Sequence, residues 1–239
     1  MINLNGGVKM SDDDRVSACV FDFGGVMTLA TMPDKVRTTL DRLGVEWSVV
    51  TDGYGKFRRQ LDGNFISFDD MYDLIFADND IELSESDKKE LIENDISSFH
   101  PCNEKTLALM REIKERGYKI GILTNMPTAF VTSFKKYYKD FIALADAMVV
   151  SGEEKMYKPQ RRIYRLMTKR LNVEPEEICF FDDVESNCES ARSCGWKAIR
   201  FTDVAQARRE FEELVARDQG SGVRDQELGV RDQELGVRG

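Results

Sequence analysis

A single histidine, His100, stands among 239 residues. Any Ser-His-Asp or Cys-His mechanism would have to run through it. Cysteine is sparse and irregular: Cys19, Cys102, Cys179, Cys188 and Cys194 are odd in number and show no Cys-x-x-Cys spacing. That excludes a disulfide frame and a zinc site, and the expected state is buried, reduced thiols in a cytoplasmic protein. Positive charge is in deficit, with 34 Lys and Arg against 43 Asp and Glu and a net charge of -9. A nucleic acid or an anionic membrane surface is therefore not an expected partner. No window approaches the roughly eighteen apolar residues of a membrane span. The first seventeen residues carry Asp12-Asp13-Asp14 and no apolar run, so no signal peptide is expected.

What is present is an alternation of short apolar runs and helical patterns. Residues 17–22 form an apolar run that ends in Asp22, and Gly24-Gly25 follow at once, which reads as a buried strand and a tight turn. From about residue 30 to 100 the pattern is helical throughout. Val36, Leu40 and Leu43 share a face, Ser67 caps a segment with Met71, Leu74 and Ile75, and Ser84-Glu85-Ser86-Asp87 opens another with Leu91, Ile92 and Ile96. Beyond Pro101, strands near 118–123, 147–150, 178–181 and 197–201 alternate with helices of about ten residues, and Ser151-Gly152-Glu153-Glu154 reads as a loop. This is the pattern of βαβ units on a parallel sheet. The expected fold class is α/β, a Rossmann-like parallel sheet core with an inserted helical cap subdomain. The boundaries are a flexible leader at 1–16, a core at 17–30 and 101–217, a helical cap at 31–100 and a disordered tail at 218–239. That tail repeats Val-Arg-Asp-Gln-Glu-Leu-Gly at 223–229 and 230–236. Its apolar spacing does not fit a coiled coil, and each glycine would cost a helix about 1 kcal/mol.

On such a sheet the C-terminal strand ends converge in one crevice. The first strand brings Asp22 and the Gly24 backbone, the second Thr124-Asn125, and the fourth Asp182-Asp183; the loop after the third leads to Lys158-Pro159. Each signal alone is ordinary, since Thr-Asn and Asp-Asp often only cap helices. Together, three carboxylates would raise each other's pKa unless a cation sits among them. All-oxygen ligation by a few carboxylates and one carbonyl suits Mg²⁺. Thr124 offers a hydroxyl, the turn after it backbone N–H groups, and Lys158 a fixed charge, a setting in which an ionised Asp can attack phosphorus.

Asp22-Phe23-Gly24-Gly25-Val26, Leu123-Thr124-Asn125, Lys158-Pro159 and Phe180-Phe181-Asp182-Asp183-Val184-Glu185-Ser186-Asn187 resemble, in order, the four motifs of the haloacid-dehalogenase-like (HAD) hydrolase superfamily. Ser151-Gly152-Glu153 and Cys194-Gly195-Trp196 extend the similarity, which covers about residues 17–202. The resemblance implies an aspartyl-phosphate on Asp22 and Mg²⁺ held by Asp22, the Gly24 carbonyl and Asp183, with Asp182 close behind. It implies that Thr124 and Lys158 are catalytic and hold the phosphoryl group, with Asn125 and Asn187 completing the substrate-binding set. One departure matters: most phosphatases of the family carry an acid two residues after the nucleophile, where this chain has Gly24. A positioned acid contributes about 10²–10⁴-fold, so esters with poor leaving groups should suffer most. Members with glycine at this position resemble sugar-phosphate phosphatases. His100 is one candidate for a replacement acid and Arg58-Arg59 for an anion contact; a structural polar residue and a solvated helix face are the plainer readings.

The leading expectation is a Mg²⁺-dependent phosphatase of a small phosphorylated metabolite. A metal-free 2-haloacid dehalogenase and a non-catalytic member that binds a phosphorylated ligand or a protein are the alternatives.

Overall fold

The computed structural model describes residues 15–29, 34–97 and 101–217. Most of the leader, Pro33, His100 and the repeated tail lie outside the described residues. A five-stranded sheet forms the centre, with β1 (Ala18–Phe21), β2 (Lys119–Thr124), β3 (Ala147–Val150), β4 (Ile178–Asp182) and β5 (Lys197–Arg200) in the order β3-β2-β1-β4-β5. Every pairing is parallel. Strands buried on both faces read as near-continuous apolar runs, and β1 and β4 are buried at every position.

Alternation of side chains distributes each strand between two apolar layers. On one face Cys19, Phe21, Ile120, Ile122, Cys179 and Phe181 pack with Leu107, Met110, Phe134 and Phe211. These last come from α5 (Glu104–Glu115), α6 (Thr128–Tyr137) and a helix over 204–217, here α11. On the other face Ala18, Val20, Val149, Ile178 and Phe180 pack with Ile163, Met167 and Ala191. These belong to α9 (Arg161–Leu171) and α10 (Glu185–Arg192). The result is a three-layer α/β/α core, with α7 (Lys139–Ile142) after α6.

Between β1 and α5 the described residues form helices alone: α1 (Asp34–Leu43), α2 (Trp47–Asp62), α3 (Phe68–Ala77) and α4 (Glu85–Ile96). They close on an apolar cluster of their own, including Leu40, Phe57, Leu61, Met71, Tyr72 and Leu91. Local chemistry sets their starts. Ser67 and Asp70 form a reciprocal capping box at α3, and the Ser84 hydroxyl accepts the Asp87 N–H at α4. The chain leaves and re-enters the core at one place: Thr28 pairs with Cys102 as an antiparallel bridge, flanked by Leu29 N–H on the Pro101 carbonyl at 2.9 Å and Asn103 N–H on the Met27 carbonyl at 2.8 Å.

One element differs from expectation. Ser151–Glu154 is a one-turn helix, α8, not a loop. It starts directly at the end of β3 because the Ser151 hydroxyl accepts the Met126 N–H at 2.7 Å, and Gly152 lets the turn press on the chain after β2. A Cβ at Gly152 would stand 2.8 Å from the Met126 carbonyl and from the Thr128 nitrogen. Among the described residues no helix is long and apolar enough to cross a membrane.

Candidate active site

From β1 the sheet grows to β2 and β3 on one side and to β4 and β5 on the other. The strand order therefore reverses between β1 and β4, and a crevice opens beyond their C-terminal ends. Phe21 lies opposite Phe181 in register, the two rings stacked at 4.6 Å. That pairing fixes the residues next in line, Asp22 and Asp182, side by side at the mouth. Thr124 ends β2 beside them and is buried.

Lys158 arrives from the loop between α8 and α9, and its placement is set by Asn125. The Asn125 amide oxygen accepts the Lys158 N–H at 2.8 Å, and the amide nitrogen donates to the Lys158 carbonyl at 3.0 Å. So held, the Lys158 ammonium lies 2.7 Å from Asp22 Oδ1 and 2.6 Å from Asp182 Oδ2, with only 2% of the residue exposed. Asp182 is enclosed further. The Val184 N–H donates to Oδ1 at 2.9 Å, and the Asn187 amide donates to the two oxygens at 3.0 and 3.1 Å. Asp183 turns instead toward the first loop. Gly25 has φ of +71°, and a Cβ there would stand 2.4 Å from Asp183 Oδ2, so glycine is needed both for the backbone and for the carboxylate's seat.

Asp22, Asp182 and Asp183 each offer an oxygen within 4.8 Å of the others, against the one ammonium of Lys158. Burial pushes the Asp22 carboxyl up from 3.8 to about 8, the Asp182 charge adds to this, and Lys158 and the Phe23 N–H oppose it. Burial likewise raises Asp183, again helped by the charge of Asp182. Burial works to lower Lys158, but the two carboxylates outweigh it and hold the ammonium above its ordinary value. Burial of these carboxylates around one ammonium accounts for the shifts: protonating Asp22 neutralises the trio with Asp182 and Lys158, and with Asp183 included one divalent cation would balance the excess charge. Three carboxylates within reach, no nitrogen or sulfur donor among them and an excess of negative charge make a cluster that could bind a hard divalent cation.

The structure thus brings Asp22, Gly24, Thr124, Asn125, Lys158, Asp182, Asp183 and Asn187 to one end of the sheet. The amides of Asn125 and Asn187, expected among the substrate contacts, pair here with the Lys158 backbone and with Asp182. Gly24 borders a cleft of about 380 Å³ between the sheet and the helices. Its lining includes residues that no motif announces: Trp47 and Tyr54 on α2, Asp95 on α4, and Phe130 and Phe134 on α6. Asp95 is buried, accepts the hydroxyls of Tyr54 and Tyr72, the latter at 2.8 Å, and is raised by burial against those two bonds. Both cap arginines, Arg58 and Arg59, are exposed; Arg58 also lines the cleft and holds the buried Asp62 carboxylate through Nε at 2.7 and 2.8 Å. A hint of Asp95 exists in hindsight: it shares a helical face with Leu91 and Ile92.

The fold and this crevice define a Rossmann-like α/β protein with a helical insertion and an acidic site around one buried lysine. The model of the haloacid dehalogenase-like hydrolases matches residues 16–195. The chain belongs to that family of hydrolases. A Mycobacterium tuberculosis phosphatase is 25% identical over 219 residues, 87% of this chain and 99% of that protein. An (S)-2-haloacid dehalogenase from Burkholderia cepacia is 27% identical over 199 residues, 78% of this chain and 83% of that one. A bifunctional epoxide hydrolase from Sus scrofa is 25% identical over 213 residues, and the chain spans 38% of its length. Among solved structures, a HAD family enzyme from Bacteroides thetaiotaomicron, in complex with magnesium and inorganic phosphate, superposes with a TM-score of 0.60. It is 20% identical over 77% of this chain and 93% of that one, a likeness of fold.

Proposed function

We propose that this hydrolase is a Mg²⁺-dependent phosphomonoesterase that transfers the phosphoryl group of a small metabolite to Asp22 and then to water. The observation that carries this reading is the buried Lys158 bridging Asp22 and Asp182 beside a third carboxylate, Asp183. The similarity to the Mycobacterium tuberculosis phosphatase points the same way.

In the proposed reaction an Asp22 carboxylate oxygen forms a bond to phosphorus while the bond from phosphorus to the ester oxygen breaks. Asp22 Oδ1 accepts the Phe23 N–H at 2.6 Å and the Lys158 ammonium at 2.7 Å. Those bonds orient the carboxylate and leave Oδ2 for attack. Lys158 and the Thr124 hydroxyl face the charge that builds on the phosphoryl oxygens. Asp182 and the two asparagines keep the ammonium in place. A bound Mg²⁺, held by Asp22, Asp183 and the Gly24 carbonyl, would supply the positive charge that lets Asp22 stay ionised and the phosphate dianion enter. No side chain at Gly24 protonates the leaving alkoxide, so the proton comes from solvent. Water then attacks phosphorus, phosphate leaves, and the carboxylate returns.

The test is phosphate release from a panel of phosphate esters with Mg²⁺, with EDTA, and with Asp22→Asn. Turnover with Mg²⁺ that is lost both in EDTA and in a still-folded Asp22→Asn protein is expected. Undiminished release by that variant would overturn the nucleophile assignment. A second reading, 2-haloacid dehalogenation, rests on Gly24 and on the Burkholderia cepacia relative. It needs no cation, so halide release that persists in EDTA would establish it instead.

A further inference from the structure

The cleft beside Gly24 joins the carboxylate crevice directly, since Phe23 and Asn125, the neighbours of Asp22 and Thr124, line it together with Gly24. A phosphoryl group held at Asp22 therefore directs the alcohol part of its ester into this space. The walls are Phe23, Trp47, Val50, Phe130 and Phe134 for the most part. Most polar side chains on the lining are already bound within the protein. Thr28 Oγ1 accepts the Gly25 N–H at 3.2 Å, and the Thr51 hydroxyl donates to the Ser48 carbonyl at 3.1 Å. Asn125 is paired with the Lys158 backbone, and Asp95 takes both the Tyr54 and Tyr72 hydroxyls. Arg58, the cation of this lining, pairs with Asp62 through Nε and lies over the Tyr54 ring at 5.8 Å, with its side chain half exposed to solvent.

We infer that the substrate's alcohol is a hydrocarbon, aliphatic or aromatic, and not a polyhydroxylated sugar; this rests on the phosphatase reading above. A sugar entering the cleft would exchange water for aromatic faces and for donors and acceptors most of which have partners, leaving most of its hydroxyls unsatisfied. A hydrocarbon loses nothing of that kind and gains from leaving water. A cleft of about 380 Å³ is also of the size that encloses a small organic molecule. The sugar phosphates that glycine at position 24 suggests are therefore not the class that this wall fits.

The experiment compares n-butyl, n-hexyl and n-octyl phosphate with glucose 6-phosphate, all esters of primary alcohols, in the presence of Mg²⁺. One methylene in an apolar pocket is worth about 10-fold or more in kcat/KM. The series is expected to rise at least about tenfold from butyl to octyl, mainly through KM, with glucose 6-phosphate below butyl phosphate. Trp47→Ala should lower kcat/KM for octyl phosphate about tenfold and flatten the series. A flat series, or glucose 6-phosphate as good as octyl phosphate, overturns the inference. Binding to the Asp22→Asn protein, read by calorimetry, separates the two proposals. If no ester is turned over but octyl phosphate still binds at least about tenfold tighter than glucose 6-phosphate, the phosphatase reading fails and the cleft assignment stands. Equal binding overturns the assignment whatever the turnover.

Discussion

Gly24 is the position where a substitution should add function. Its backbone is not in the left-handed region, the residue is exposed on the border of the cleft, and a Cβ built there meets nothing within 4 Å. Gly24→Asp should therefore fold without strain, and loss of glycine's freedom in the unfolded chain stabilises by about 0.4–1 kcal/mol. The carbonyl proposed to face Mg²⁺ is retained. The new carboxyl would stand two residues from the nucleophile, where a proton donor to the leaving oxygen is missing. General acids contribute about 10²–10⁴-fold, equivalent to about 3–5 kcal/mol of barrier at 1.36 kcal/mol per decade. The gain should appear in kcat for alkyl phosphates, whose alkoxides need the proton. Acetyl phosphate, whose leaving group needs none, should change little. Phosphate release from the two esters by wild type and variant gives the comparison. A uniform fall for both would mean that the added charge only disturbs the carboxylate cluster, and the account of Gly24 as a missing acid would be refuted.

Gly25→Ala should behave in the opposite way from its neighbour: the left-handed φ costs about 1–2 kcal/mol, and the methyl displaces Asp183. A misplacement of about 1 Å can cost about 10²-fold in rate, so turnover should fall far more than the melting temperature suggests, with the Mg²⁺ requirement shifted to higher concentration. Lys158→Met leaves Asp22 and Asp182 buried together without their ammonium; by the cost of breaking a buried pair, about 3–5 kcal/mol, urea midpoints should drop at pH 8 and recover as pH falls from there toward 3.8. The recovery arises because Asp22, raised further without the lysine, holds its proton in the folded protein and not in the unfolded chain. Asp70 is held below its ordinary 3.8 by the Ser67 N–H and hydroxyl, and Asp87 by the Ser84 hydroxyl and Arg42. Both are depressed carboxylates, so the stability they lend is complete above pH 3.8 and is lost as pH falls from there through their folded values. Ser67→Ala and Ser84→Ala should flatten that part of a urea-midpoint profile, and an unchanged slope would rule the caps out as its source.

Much of this site was legible in the sequence because strands write their ends plainly. Val20-Phe21-Asp22 and Phe180-Phe181-Asp182 each run apolar into a carboxylate, and a parallel sheet aligns such ends by topology alone. The sheet's helical insertion was equally visible, since its residues repeat at helical spacing and carry serine caps. What escaped was every contact that joins distant segments without a period. Asn125 and the Lys158 backbone are 33 residues apart, and the amide's role lies in a two-way pairing that a Thr-Asn dipeptide does not announce. Asp95 was hidden for a related reason. A buried carboxylate on an otherwise apolar face makes sense only when Tyr54 and Tyr72, from two other helices, supply its hydrogen bonds. Ser151–Glu154 has a single turn, too short to show any repeat.

The paired crossing at Thr28 and Cys102 has a consequence for how such a molecule can be remade. The outgoing and returning chains are hydrogen-bonded to each other in one clasp, and the helices between them touch the core again where Ser151 meets the Asp62 carbonyl, Thr128 meets Asn64 and Phe130 meets Phe68. Loop-closure entropy grows slowly with length, so the core is nearly indifferent to how many residues hang there. A short turn joining Leu29 to Pro101 would leave Asp22, Thr124, Lys158, Asp182 and Asp183 on strands and loops of the core, at the loss of the bond from Ser151 to the Asp62 carbonyl. It would remove Trp47, Val50, Tyr54 and Asp95 from the cleft. The reagent would then be separable from the selector, and another set of helices hung on the same clasp would direct the same carboxylate to a different ester.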